Sequence, residues 1–395
     1  MTQRAGFKTV ETDLEELEEK IHKHRRKVFT KVAIVVVIVI AVVIVAQLWM
    51  ALRSYDSYEV KQTLEEGDKS AVSFTNFCGN IVEYSNDGIV YMDNDGELIW
   101  NQSFEMTKPV VAKCENYMTV YDENGTELFI IEKGGVKKQL ETTMPIITAC
   151  IAKQGTVAVL INEEEKYFVK LYDNTGKELA SGEFFGEQGR IPIDIALSYD
   201  AKKLAVDMLD ITKGKVDTTI SFYNFGSVGQ NEIDNNVGTY TYEGVMIPDI
   251  TYVSDNKMLA IGDNKIMTFT GSQKPKLDET IELTDEINDV FYCEKYVGIA
   301  YSNNDEDCTS HIEVYDMNAN MVMENDTDIP YTKIEFNANN EVCVMSDYEC
   351  EIYTVHSVKK FDCKFDTKIY QILYGSGVND YIFVYEGKVD EVRLK

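Results

Sequence analysis

GIVYMDNDGELIW, residues 88 to 100, alternates apolar and polar positions, turns through Asp-Gly and resumes to reach a tryptophan. Val, Ile and Tyr suit a pleated, half-buried surface, and Asp-Gly supplies the positive φ that a tight hairpin turn needs, so the stretch predicts a β-hairpin. The pattern recurs downstream in YMTVYDENGTELFII (117–131) and YFVKLYDNTGKELA (167–180). Degenerate copies follow in TISFYNFGSVG (219–229), KIMTFTGSQ (265–273), HIEVYDMNAN (311–320), CEIYTVHSV (350–358) and DYIFVYEGKVDEVRL (380–394). The landmark aromatics run from Tyr91 to Tyr385, which gives eight hairpins at a mean spacing of about 42 residues.

A period of about 40 to 45 residues with four strands per unit is that of a β-propeller, in which each sheet buries its faces against its neighbours and the ring must close to complete the core. The expected fold is all-β. Eight four-stranded blades fall at 71–105, 106–144, 145–190, 191–245, 246–285, 286–328, 329–365 and 366–395; seven is the alternative, because the fourth unit is long and the first two hairpins are close together. The last unit is one strand short. Residues 55–64 precede the first full blade and offer the missing outer strand, which would remove an exposed sheet edge.

Upstream lies VAIVVVIVIAVVIVAQLWMAL, Val32 to Leu52, apolar except for Gln47. Helical residues rise about 1.5 Å each, so the run matches the roughly 30 Å hydrocarbon core of a bilayer and predicts one transmembrane helix. It is longer than the apolar region of a cleaved signal peptide, and no clear cleavage site follows it. Lys20, Lys23, Arg25, Arg26, Lys27 and Lys31 precede it while Arg53 and Lys61 follow, so the positive-inside rule puts the N-terminus in the cytoplasm and the propeller outside. Trp49, Tyr55 and Tyr58 are placed for the outer interface. The expected parts are a cytoplasmic tail (1–31), a signal anchor (32–52) and an extracytoplasmic propeller (53–395). In the tail, Thr12 and Glu15 have capping-box spacing, and Leu14, Leu17, Ile21 and Val28 repeat at helical intervals. This is a juxtamembrane helix whose basic end sets topology, or a short docking helix.

Charge divides at the same place. The chain has 38 Lys and Arg against 67 Asp and Glu, of which the first 31 residues hold 8 and 6, leaving the remainder at net −31. Such a field repels nucleic acid and anionic membrane, favours cationic partners and keeps the domain soluble.

Two stretches carry a family likeness. GIVYMDNDGELIWNQSF (88–104) resembles a blade of the quinoprotein-like propellers, and IDIALSYDAKKLAVDML (193–209) resembles a YVTN- or WD40-like repeat. The whole layout is similar to an uncharacterised bacterial family of membrane-anchored propellers of unknown function. Only one repeat carries the quinoprotein-type Trp and no cofactor-binding residues match, so the resemblance implies neither a cofactor nor quinone-dependent activity.

Motifs for chemistry are scarce. His311 and His356 are the only histidines beyond the apolar run, without HExxH, zinc-type spacing or a nucleophile elbow, and no metal is expected. The turns DNDGE (93–97), DENGTE (122–127) and DNTGKE (173–178) lack the ligand series of a calcium loop and serve as hairpin turns. All eight cysteines lie in the outer domain. Cys78, Cys114 and Cys150 follow first strands as packed thiols; Cys343 and Cys350 would oppose each other if Ser346-Asp347 were a two-residue turn, which makes them the candidate disulfide.

One constellation has binding potential. Aligning the innermost strands puts Asp194, Asp249, Asp289, Lys333 and Gln371 at one point of successive blades, an arc at the channel mouth able to hold a cation, a basic peptide or a polar ligand. Capping of backbone N–H groups by these Asp side chains is the structural alternative. The expected function is a non-catalytic scaffold or binding protein of the cell envelope, engaging an envelope or membrane protein. A ligand sensor or enzyme using the acidic mouth is the alternative, and a purely structural role the third. The sequence leaves the oligomeric state open.

Overall fold

The computed structural model describes residues 14–65, 72–94, 96–186, 189–212, 214–283, 285–302, 309–375, 377 and 379–395, with backbone alone at 14–18, 44, 46–51 and 65. The cap residue Thr12, the side chains of Glu15 and Trp49, and residues Asp95 and Cys308 lie outside the described residues. The chain divides into two compact units, 1–53 and 54–395.

The first unit is one helix, α1 (Leu14–Ala51), continuous because no Gly or Pro interrupts it. Its side chains from Glu19 to Val43 are all exposed. Among the described residues no helix is long and apolar enough to cross a membrane. The described side chains take in Arg25, Arg26, Lys27 and Lys31 and leave out most of the apolar run beyond Val43.

The second unit is an eight-bladed β-propeller. Seven blades are consecutive: β2–β5 (Ser73–Ser103), β6–β9 (Pro109–Glu141), β10–β13 (Ile146–Phe185), β14–β17 (Arg190–Glu243), β18–β21 (Asp249–Glu282), β22–β25 (Ile287–Thr327) and β26–β29 (Lys333–Lys364). The eighth takes β30–β32 (Ile369–Leu394) and completes itself with β1 (Tyr58–Glu65), paired antiparallel from Tyr58 opposite Leu394 to Glu65 opposite Lys388. The strand expected from the N-terminal side is thus in place. The extra length of the fourth unit is a connection of two short 3-10 turns, Gly229–Asn231 and Ile233–Asn235, rather than an added strand.

The apolar core forms eight clusters, one between each adjacent pair of blades. One of them joins the last blade to the first through Leu373, Ile382 and Val384 against Phe74, Ile81 and Met92. Middle strands therefore face protein on both sides and read as unbroken apolar runs: Val157 to Ile161 are all buried. Outer strands such as β13 (Glu178–Phe185) alternate between exposed and half-buried positions.

A second regularity lies in the register. Where the third strand of a blade meets the fourth, the outer strand carries one extra residue: Ile99, Lys137, Leu179, Val237, Asp278, Val322, Lys360 and, in β1, Lys61. A bulge of this kind adds twist to the edge and re-aims the residue that forms it. The hairpin turns follow suit, because Asp173 Oδ1 accepts from the backbone N–H of Thr175 (2.9 Å) and Lys177 (3.0 Å) around Gly176 at φ +85°, a capped turn longer than two residues.

Three expectations are corrected. Tyr55 is 5% exposed and packs between the last two blades, its backbone N–H donating to Lys360 O (2.8 Å), while Tyr58 sets its ring edge-on to Phe361 and Phe383; both belong to the propeller core, not to a membrane belt. Cys343 stands opposite Ile352, not Cys350. Ser346 N–H donates to Glu349 O (2.9 Å) and the Ser346 hydroxyl accepts from the backbone N–H groups of Tyr348 (3.3 Å) and Glu349 (3.1 Å), which centres the turn on Asp347-Tyr348, one residue later than expected, so Cys350 faces Met345 on one side and Cys363 on the other. The described cysteines are free thiols.

Candidate functional site

In the innermost strands β10, β14, β22 and β30 one extra residue, Ile147, Ile193, Asn288 or Tyr370, interrupts the pairing with the second strand. The next residues are Thr148, Asp194, Asp289 and Gln371. Each lies three residues before its strand's last paired position, and Asp249 and Lys333 occupy the same level as the first residues of β18 and β26. All five arc residues therefore share one level of the ring.

They divide into two groups. Asp194 Oδ1 accepts from its neighbour Ile195 N–H (2.8 Å) and Oδ2 from Ile250 N–H (2.9 Å), tying the fourth blade to the fifth. Burial and the charge of Asp249 push its carboxyl up to about 7 against the pull of those two N–H groups. Asp249 is likewise raised by burial, opposed by a hydrogen bond from Tyr292 in the sixth blade. Asp289 is raised by burial and opposed by Val290 N–H; no other carboxylate acts on it among the causes of that shift, so it stands apart from the other two. Across the seventh and eighth blades, the Lys333 ammonium hydrogen-bonds Gln371 and lies 3.2 Å from Glu335, and the Gln371 amide donates to Glu335.

Sequence reasoning missed two groups. The first is Asp207, opposite Asp194 on β15 (Lys203–Asp210). It is 0% exposed and neither carboxyl oxygen has a hydrogen-bond partner among the described residues. Burial, then the charges of Asp194 and Asp249, push it up to about 8. A charge inside the apolar run LAVDML was the available signal. The second is Lys113 of β6, whose ammonium donates to Thr75 Oγ1 (2.7 Å) and Asn76 O (2.8 Å). Lys113 touches solvent yet has protein around it, as a residue lining a narrow channel does, and burial lowers its pKa while Glu335 opposes the shift. Lys113, Glu335 and Gln371 help line a cavity of about 210 Å³. A larger groove of about 500 Å³ lies between the third and fourth blades, with Leu171, Phe184, Tyr223 and Phe225 on its wall.

The histidines serve local structure. His311 Nδ1 lies 2.7 Å from Asp326 and its ring stacks on Tyr301; His356 is exposed at a turn. Among the described residues no group of three or more His, Cys, Asp or Glu side chains is placed to hold a metal ion.

The molecule is a closed eight-bladed propeller whose channel has an acidic wall on the fourth and fifth blades and a Lys/Glu/Gln wall opposite. Residues 51–394 match a family of unknown function, DUF5711, and the chain belongs to that family. No curated protein matches it in sequence. Among solved structures it is similar to the C-terminal WD40 domain of Sif2, with 13% identity, TM-score 0.55, 86% of this chain and 99% of that one. It is also similar to Chaetomium thermophilum Sqt1 bound to the N-terminus of the ribosomal protein L10, with 12% identity, TM-score 0.53, 86% of this chain and 100% of that one. BamB from Moraxella catarrhalis aligns at 12% identity and TM-score 0.49, over 86% of this chain and 98% of that one. At these identities the likeness is one of fold.

Proposed function

We propose that this chain is a non-catalytic, protein-binding propeller held at a membrane by residues 32–52, with its N-terminus in the cytoplasm and the ring outside. The observation that carries the binding reading is the acidic wall at one level of the channel, set in a domain of net −31. Sqt1, to which this fold is similar, is bound to the N-terminus of the ribosomal protein L10. The membrane reading rests on the apolar run, on its basic upstream flank and on the exposed Val and Ile side chains of α1. Only Arg53 and Ser54 separate Leu52 from Tyr55, so such an anchor keeps the closing blade within a few residues of the bilayer.

The test is crosslinking in intact cells followed by affinity recovery, comparing the full chain with an anchored version lacking residues 1–27. An envelope protein crosslinked to the ring in both is expected. Recovery of no protein partner overturns the binding reading, and loss of the partner with the tail moves binding to the cytoplasmic helix. Digestion of intact cells with an impermeant protease should cleave the ring, and full protection overturns the orientation.

A second reading is a ligand sensor or enzyme at the channel, favoured by the Asp194 carboxyl, which titrates where a general acid or base operates. It requires a small molecule whose binding Asp249→Asn weakens in the absence of any protein partner.

A further inference from the structure

Asp207 is a group with an unmet requirement. As a carboxylate its one donor is the adjacent Met208 N–H, too poorly placed to make a full hydrogen bond, and as an acid its O–H has no acceptor among the described residues, while the side chain is fully buried. Buried polar groups left this way are costly, more so when charged, and call for an explanation in ligand, ion or water. Its surroundings name the sign of the missing partner. Asp194 faces it across the β14–β15 pair, and Asp249 acts on both from β18. The remaining titratable groups acting on this cluster are also acids: Cys150 and Tyr121 border Asp194 from the third and second blades, and Tyr292 reaches Asp249 from the sixth. None of the three carboxylates forms an ion pair with a described Lys or Arg. Lys203 and Lys153, on the same and the preceding blade, are committed elsewhere: Lys203 to Asn256 and Ser272, and Lys153 to Asp255.

We infer that the acidic wall receives the cationic side chain of a Lys or Arg from a partner polypeptide, contacting Asp194 and Asp249 from the channel while Asp207, behind Asp194, adds its negative potential. Asp194 and Asp249 are half-exposed and can be reached, and each ionised oxygen has a lone pair to spare beyond the bonds described. Among the described residues no three ligating side chains converge as a metal cage needs, and the blade-spanning bonds of Asp194 keep its carboxylate in place, which suits one guanidinium or ammonium better than a multi-ligand ion. This inference rests on the protein-binding reading and specifies what the partner presents.

The experiment uses the full chain in a nonionic detergent at roughly 0.15 M salt, where charges beyond about 8 Å are screened. The probe is a fluorescent peptide Gly-Arg-Gly-Arg-Gly, compared with the same peptide carrying neutral citrulline in place of arginine. Expected are binding of the arginine peptide, loss of about tenfold in affinity on Asp194→Asn with Asp249→Asn, and loss of similar size with citrulline. A charge-matched control, Glu105→Gln with Glu386→Gln on the exposed surface, should bind as the unaltered protein does. A separate readout is proton release: at pH 7 the arginine peptide should expel about one proton, seen as a buffer-dependent heat, and Asp207→Asn should reduce it while still folding. Equal binding by the citrulline peptide, or by the Asp194/Asp249 variant, overturns the inference, as does proton release unaltered by Asp207→Asn. Those outcomes leave the scaffold reading standing, because a partner still captured by crosslinking would then dock on another surface; capture of no partner in cells would overturn the scaffold reading instead.

Discussion

The seventh-to-eighth blade seam and the fourth-to-fifth blade seam both bury charge, and they do so to opposite effect. At the first, Lys360 Nζ donates to Glu341 Oε1 (2.6 Å) and to Tyr381 OH (2.9 Å), Asn337 and Asn339 amides complete the Glu341 carboxylate, and every charge has its counterpart. At the second, Asp194, Asp207 and Asp249 gather with no cation paired to them among the described residues, and Asp207 makes no full hydrogen bond there, the Met208 N–H alone acting on it as a donor. Both sites start from a strand irregularity: Lys360 is the bulge residue of its outer strand, and Asp194 follows the bulge of its inner strand. The difference teaches that irregularity places a charge, and the presence of a local counter-charge decides whether it serves closure or remains available.

The comparison breaks most readily at the satisfied seam. Lys360→Met strands Glu341 in a buried site, and the expected loss is about 3–5 kcal/mol in a denaturant titration of the full chain. Replacing Lys360 and Glu341 together by Met and Leu should recover most of that loss, and failure to recover would mean the pair contributes more than mutual compensation. The unsatisfied seam should respond with the opposite sign. Asp194 and Asp207 have folded pKa values raised above those of the unfolded chain, so the folded state holds extra protons and stability declines as pH rises from about 4 through 7 to 8. Asp207→Asn should flatten that decline and be more stable than the unaltered protein by roughly 1–3 kcal/mol at pH 9, read from paired melts at pH 5 and pH 9. An unchanged slope would show that the carboxyl does not titrate in this window. A smaller effect belongs to the ring-closing strand. Lys61 Nζ lies 2.7 Å from Asp380 and 3.1 Å from Glu391, and Lys61→Ala should cost about 1 kcal/mol, since Lys61 itself reaches solvent and the buried Asp380 keeps Arg393 as a partner, with protease sensitivity rising first near Tyr58. The smallest change concerns the cysteines: in non-reducing peptide mapping, Cys343 should not be found joined to Cys350, because the register separates them.

How far the fold was legible follows from what repeats. Hairpin period gave blades whose limits agree with the observed ones to within a few residues, because every middle strand needs the same two-sided burial and many of the turns place a residue, often Gly, at a positive φ. The level shared by Asp194, Asp249, Asp289, Lys333 and Gln371 was also visible, since aligning strand ends does not depend on what lies between. Partner choice was not. Asp207 stood out only as a charge inside the apolar run LAVDML, and its isolation depends on the neighbouring blade. The turn after Met345 falls one residue later than expected because the Ser346 hydroxyl accepts from two backbone donors beyond it, which favours Asp347-Tyr348 as the turn. Tyr55 and Tyr58 followed the apolar run closely enough to pass for its aromatic border, while their packing partners come from residues 361 and 383, far along the chain.

The strand that closes the ring is the first one made and the last one used. Thr63 must reach Asp390, 327 residues later. At roughly 5–20 residues per second of synthesis that interval is on the order of 20 to 60 seconds, during which β1 is an unpaired edge beside growing blades. Glu59 and Lys61 then act as guards as well as contacts, since charges along an unpaired strand discourage the wrong partner until the right one emerges.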